Sequence, residues 1–250
     1  MAKEIHRDGL ILQYGFDVTT ADCDPEGRLR PGGLSNFLVL SAINSAETLG
    51  FGYNELRRYH LFWVLSRMTI RIHKPLKWRD QAVVETWPKD IRGLLYLRDF
   101  KVKNQADELC TTCTSGWLAI DIYSKRPKKV EDKFGYLFDK LKDRHAMEEF
   151  PEKLEPLTEG ELSERQVTWF DLDVNRHVTS TRYIDWMVDT LPADFLTSHY
   201  PTLLSINYLK ETMMGESVTL LRSTTDSNQF FFQGAGKDTA TAKFRGRLVF

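Results

Sequence analysis

Two long segments with helical apolar spacing, each followed by short runs of alternating hydrophobic and polar residues, set the outline of this chain. Leu34–Gly50 (LSNFLVLSAINSAETLG) repeats its apolar positions at the period of a helix and ends on glycine, a common stop. Thr179–Leu191 (TSTRYIDWMVDTL) has the same period and runs into Pro192. Runs rich in Val, Ile, Thr and aromatic residues predict strands near Phe62–His73, Gln81–Pro88, Leu94–Val102 and Leu109–Ile122. A second set is predicted near Leu203–Lys210, Ser217–Thr225, Phe230–Gly234 and Thr241–Phe250. One long helix followed by an antiparallel meander is an α+β unit whose sheet can wrap its helix.

The unit occurs twice. VTTADCDPEGRLRPGGLSNF from Val18 lies without gaps on VTWFDLDVNRHVTSTRYIDW from Val167, so that Asp22 and Asp24 meet Asp171 and Asp173. IRIHKPLKWRDQAVV from Ile70 lies on INYLKETMMGESVTL from Ile206, with Lys74 on Lys210 and Asp80 on Glu216. Two matches in the same order point to a duplication. Two such units would pair their sheets edge to edge and mimic a dimer within one chain. We therefore expect a first unit over residues 1–130 and a second over 161–250. The Lys-, Glu-, Asp- and Pro-rich stretch at 131–160, with its amphipathic FGYLFDKL, is expected to cross the surface as a partly helical connector.

Chemistry concentrates in Asp171–Val178 (DLDVNRHV), just ahead of the second helix. In an extended strand, Asp173, Asn175 and His177 would share one face. A carboxylate, an amide and an imidazole would then stand beside a helix N-terminus, a set suited to acid–base work and oxyanion binding. The duplication singles out the same residues by subtraction. His177 falls on Arg28, Asn175 on Glu26 and Glu211 on Pro75, so the first copy lacks the imidazole, the amide and the second carboxylate. Asp173 and Asn175 are also good turn-formers, and turn or capping hydrogen bonds are the competing explanation for them.

Composition narrows the class further. A formal net charge of -1 gives no overall field for nucleic acid, and no apolar run approaches the roughly 18 residues of a spanning helix. The first sixteen residues have only a three-residue apolar run flanked by charges, unlike a signal peptide, so a cytoplasmic protein is expected. Cys110 and Cys113 form a C-x-x-C pair on a predicted strand, but no second pair or nearby histidine completes a metal site. They read as buried thiols, and no metal or cofactor is expected.

WVLSRMTIRIHKPLKWRDQAVVETW (Trp63–Trp87), DLDVNRHVTSTRYIDW (Asp171–Trp186) and INYLKET (Ile206–Thr212) together resemble the acyl-acyl-carrier-protein thioesterases of plants and their bacterial relatives. The likeness covers almost the whole chain. It implies a tandem hotdog fold, two long helices each wrapped by a sheet. It also implies a catalytic set of Asp173, Asn175, His177 and Glu211, and hydrolysis of a fatty acyl thioester on acyl carrier protein. Many members carry a cysteine directly after the glutamate; this chain has Thr212, which favours water over a thiol nucleophile. On this reading Glu211 and His177 bind and deprotonate the water, and Asn175 orients it or meets the oxyanion. Asp173 holds His177 or the turn, and backbone N–H groups near Thr179–Arg182 assist. Phe37, Leu38, Trp63 and Met68 are candidates for the acyl pocket, with plain core packing as their alternative. The basic run Lys125, Arg126, Lys128 and Lys129 is a candidate dock for the acidic carrier protein, and a homodimer is compatible with the pattern. An acyl-coenzyme A thioesterase, a hotdog dehydratase and a non-catalytic acyl-binding protein are the rival readings. The four polar residues argue against the last.

Overall fold

The computed structural model describes residues 5–226, 228–237 and 241–250. The first unit runs β1 (Ile5–Asp8), β2 (Ile11–Asp17), α1 (Pro31–Thr48), α2 (Tyr53–Arg57), β3 (Leu61–Ile72), β4 (Gln81–Arg92), β5 (Leu95–Asn104), β6 (Leu109–Asp121) and the short β7 (Pro127–Lys128). After α3 (Glu131–Asp139), the second unit runs β8 (Glu161–Gln166), α4 (Ser180–Val188), α5 (Ala193–Ser198), β9 (Leu203–Tyr208), β10 (Ser217–Asp226), β11 (Gln229–Gly236) and β12 (Ala242–Val249). All strand pairs are antiparallel and form one sheet in the order β1-β2-β4-β5-β6-β3-β9-β12-β11-β10-β8, with β7 on β6. This is the tandem hotdog that the repeat and the resemblance predict.

Local sequence explains the elements. Pro31 sits in the first turn of α1, where its missing N–H costs nothing, and Gly50 takes a φ of 78° beyond the helix end. The helix therefore starts one turn earlier than its apolar pattern suggests. Leu34, Phe37, Leu38 and Ala42 turn into the main core against Tyr14, Phe16, Val84 and Phe100. Each large side chain buried this fully is worth roughly 1.5–3 kcal/mol. The two helices touch through glycine: a Cβ on Gly32 would stand 2.2 Å from Asp185 Oδ1 and 3.2 Å from the Thr181 carbonyl oxygen.

The units join where β3 pairs β9, with Met68 opposite Ile206 and Ile70 opposite Leu204, all four fully buried. The connector is more than the surface strap expected from its charge. Phe134, Leu137 and Phe138 close a second apolar cluster with Phe51, Leu56 and Tyr96, and Met147 and Leu154 are buried too. Its later part laces the seam: Glu152 N–H donates to Thr69 Oγ1 (3.1 Å), Leu154 N–H to Asn207 Oδ1 (2.8 Å), and Asn207 Nδ2 to the Glu152 carbonyl (2.8 Å). Asn207→Ala should strand two backbone groups in a buried place and lower stability by roughly 1–3 kcal/mol, read from the shift of the urea midpoint.

Candidate active site

The DLDVNRHV stretch is a closed turn rather than the extended strand its alternation suggested. Trp169–Asp171 form a single 3-10 turn, and Leu172 then pairs with Val178. Asp173 N–H donates to the His177 carbonyl (2.8 Å), and Arg176 takes a φ of 64° to bring the chain back. The Asp173 carboxylate lies under this turn, its Oδ1 accepting from Asn175 N–H (2.8 Å) and His177 N–H (3.2 Å). Alternation failed here because a short aspartate side chain that satisfies two backbone donors stabilises a turn over a strand.

The first copy repeats the turn bond for bond. Asp24 Oδ1 accepts from Glu26 N–H (3.0 Å) and Arg28 N–H (2.9 Å), and Gly27, opposite Arg176 in the repeat, has a φ of 72°. Thr19 with Asp22, and Thr168 with Asp171, form matching capping boxes. Arg28 bridges Lys77 just as His177 bridges Met213. Leu29 N–H reaches the Leu76 carbonyl at 2.8 Å, and Val178 N–H the Thr212 carbonyl at 2.9 Å. Asp173 therefore belongs to the shared architecture, and what distinguishes the copies is what the architecture presents.

In the first copy it presents Arg28, whose guanidinium binds Asp24 (2.8 Å) and the carbonyls of Leu196 (2.7 Å) and His199 (3.2 Å). That position is stapled to α5 and has no chemistry left over. In the second copy it presents His177, half-buried, and Asn175 and Glu211, both exposed. The pairing of His177 with Met213 puts Thr179 opposite Glu211 two residues further along, which makes Glu211 the diagonal neighbour of His177, ~7 Å away across the pair. Among the described residues, no hydrogen bond or ion pair joins the side chains of Asn175, His177 and Glu211 to one another.

Several supporting residues escaped the sequence analysis. Lys243, buried on β12, donates to the Glu211 carbonyl (3.0 Å) and to Glu216 Oε2 (2.6 Å), fixing both ends of the 211–216 turn. Tyr208 OH donates to the Ser180 carbonyl (3.1 Å) at the start of α4, and Arg182 Nε pairs with Asp171 Oδ1 (3.2 Å). Thr212 is fully buried, and among the described residues its Oγ1 has no hydrogen-bond partner. The Tyr183 hydroxyl, its pKa pushed up to about 12 by burial, lies beside it without the alignment of a bond. At the helix start, Thr179 N–H and Arg182 N–H are already used, by the carbonyls of Asp171 and Thr179. Of the four amides proposed there, those of Ser180 and Thr181 have no partner among the described residues.

The pocket candidates do not converge. Phe37 and Met68 belong to the main core, Phe37 stacked on Phe16 at 4.0 Å and Met68 accepting from Ser35 Oγ at 3.6 Å. Trp63 packs with the second cluster, donating from Nε1 to the Phe51 carbonyl (2.8 Å). Between the two clusters stands Arg98, buried, with Nη1 on Ser45 Oγ (2.9 Å) and Thr86 Oγ1 (3.2 Å) and burial pulling its pKa down to about 9. In the basic run, Lys128 is paired with Asp121. Cys110 and Cys113 are buried thiols as expected, free and raised in pKa chiefly by burial, and Cys23 lies in the first-copy turn.

The chain is similar to known proteins along most of its length. The acyl-ACP thioesterase N-terminal domain family matches residues 9–138, and the acyl-ACP thioesterase C-terminal domain family residues 154–242. A chloroplastic palmitoyl-acyl carrier protein thioesterase of Gossypium hirsutum is 28% identical over 90% of this chain and 58% of its own length. A chloroplastic oleoyl-acyl carrier protein thioesterase of Arabidopsis thaliana is 26% identical over 87% of this chain and 65% of its own. The chain thus spans less than two thirds of either relative. The crystal structure of an acyl-ACP thioesterase from Bacteroides thetaiotaomicron superposes with a TM-score of 0.89 at 23% identity, covering 96% of this chain and 97% of that one. The 12:0-ACP thioesterase from Umbellularia californica gives 0.85 at 22% identity, covering 98% of each chain. The duplicated fold and the two family matches, end to end, make this chain a member of the acyl-ACP thioesterase family.

Proposed function

We propose that this protein hydrolyses fatty acyl thioesters of acyl carrier protein, releasing free fatty acid and the carrier thiol, by direct attack of water held between Glu211 and His177. The observation that carries the reading is the pairing of the His177 turn with the 211–213 segment, in the one copy whose twin carries Arg28 and Pro75 instead. Family membership supplies the substrate class.

A thioester carbonyl is activated, so the chain needs to supply only a positioned water, a base and help for the oxyanion. The water oxygen adds to the carbonyl carbon while its proton passes to the Glu211–His177 pair, a general-base gain of roughly 10²–10⁴. Negative charge grows on the carbonyl oxygen, where the Ser180 and Thr181 N–H groups and the Asn175 amide act as donors. Collapse of the tetrahedral intermediate breaks the C–S bond, and the proton held by the pair returns to the departing sulfur. Asp173 acts through the turn it closes, as a positioning residue. No helix among the described residues is long and apolar enough to cross a membrane, and we assign the activity to the cytoplasm.

A thiol nucleophile has no support in the layout, since burial raises the pKa of all three cysteines. Iodoacetamide should therefore leave thiol release from an acyl-carrier-protein thioester unchanged, with Cys110 and Cys113 unlabelled until the protein is unfolded. Inactivation in step with labelling of a single cysteine would overturn the water mechanism.

A further inference from the structure

The segments that carry His177 and Glu211 also expose five large apolar side chains. Trp169 is 73% exposed, Phe170 84%, Val174 99%, Met213 40% and Met214 53%. They share one hydrogen-bonded loop cluster. Val167 N–H reaches the Glu216 carbonyl (3.0 Å), Thr179 N–H the Asp171 carbonyl (2.9 Å) and Gln166 Nε2 the Gly215 carbonyl (3.2 Å), while Met213 pairs with His177. So much exposed apolar surface in one place marks a binding face.

The duplication supplies an internal control. At the equivalent positions the first copy has Thr20, Ala21, Pro25, Lys77 and Trp78. Among them only Trp78, 48% exposed with the Arg79 guanidinium 4.4 Å from its ring, is a large aromatic or aliphatic side chain. The fold alone, then, does not call for five such tips on these turns. They appear in the copy that has the imidazole and the second carboxylate, and they surround that site. Arg176 and Lys210 flank the patch, both exposed and without an ion-pair partner among the described residues.

We propose that this loop cluster is the surface on which the acidic acyl carrier protein docks, with Trp169, Phe170, Val174, Met213 and Met214 as its apolar centre and Arg176 and Lys210 as its basic edge. The inference rests on the proposed thioesterase function and sets the carrier protein on this patch instead of on the Lys125–Lys129 run. A thioester tethered to a protein reaches Glu211 most directly when that protein docks beside it, and this patch lies beside it. Apolar contacts at the centre with cations at the rim are the usual division of labour in a transient interface. A lipid bilayer on the same patch would close the site to a carrier-bound substrate, which favours the protein.

The test pairs binding with kinetics, using the full chain and a Phe170→Ser/Val174→Ser variant. Both side chains are exposed, and an unchanged thermal midpoint verifies the fold. The variant should bind acyl carrier protein about tenfold more weakly, the effect of ~1.4 kcal/mol. Its kcat/KM should fall by the same factor on the carrier thioester and stay at the wild-type value on the same acyl chain carried by pantetheine. Equal losses on both substrates, or no loss on either, would overturn the dock. So would patch-dependent flotation with anionic vesicles in place of carrier binding. Wild type that binds the carrier through the patch but releases no thiol would uphold the dock and reject the hydrolase; hydrolysis unaffected by the variant would do the reverse.

Discussion

Glu211→Gln should slow thiol release from an acyl-carrier-protein thioester by roughly 10²–10⁴-fold, the usual worth of a positioned general base. The loss should appear in kcat, because an amide still binds water but cannot take its proton. Stability should not change. Glu211 is exposed, its side chain makes no hydrogen bond among the described residues, and the repeat accommodates proline at the same place. The carbonyl of Glu211, which Lys243 holds, survives the substitution. His177→Gln should cost a comparable factor, and the double variant little more than either alone, since groups that act as a unit are not additive. A double loss equal to the product of the single losses would show that the two residues act separately. Stopped-flow thiol detection with a matched circular dichroism melt reads both quantities.

The largest stability effect is expected far from the site, at Asp99. Its carboxylate is fully buried, with Oδ1 accepting from Thr114 Oγ1 (2.6 Å) and Oδ2 from Ala146 N–H (2.6 Å), and Lys89 Nζ at 3.2 Å. Lys89, equally buried, also donates to the Met147 carbonyl. A buried pair repays its desolvation only when both partners stay, so Asp99→Leu should leave an uncompensated ammonium and destabilise by roughly 3–5 kcal/mol. The Lys89→Met/Asp99→Leu double variant should recover much of that loss. Urea unfolding with an unchanged slope is the appropriate readout. A single variant as stable as wild type would mean that the cation escapes to water by a local rearrangement. Because Ala146 and Met147 belong to the connector, the single variant should also loosen residues 140–150 to proteolysis.

How much of this was legible in the sequence depends on the physics at each place. The helices and most strands were readable because periodicity records which side faces a core, and the duplication gave the pairing of two sheets. The turn at Asp173 was misread. Alternation over five residues looks the same for a strand as for a turn closed by an aspartate, and the turn-forming side chains of Asp173 and Asn175, with the repeat of Asp24, pointed to the latter. Ser35, Ser41 and Ser45 on the buried face of α1, and Arg98 opposite Ser45, defied the rule that polar residues face water. The connector's burial was hidden by its charge: Lys, Glu and Asp dominate its composition while Phe134, Leu137, Phe138 and Met147 do its packing. Tertiary partners distant in sequence, such as Lys243 for the Glu211 carbonyl, leave no local trace. Large aromatics are mostly well buried, and only the folded chain exposes Trp169 and Phe170.

The most direct measurement on the central claim is wild-type turnover of a panel of acyl-carrier-protein thioesters of increasing chain length, with released thiol and free fatty acid quantified together. Hydrolysis at the second-copy site predicts thiol and fatty acid in equal amounts, faster from the carrier-protein thioesters than from the matching coenzyme A forms. Saturable acyl binding with no thiol released from any member of the panel would contradict it and leave an acyl-binding protein.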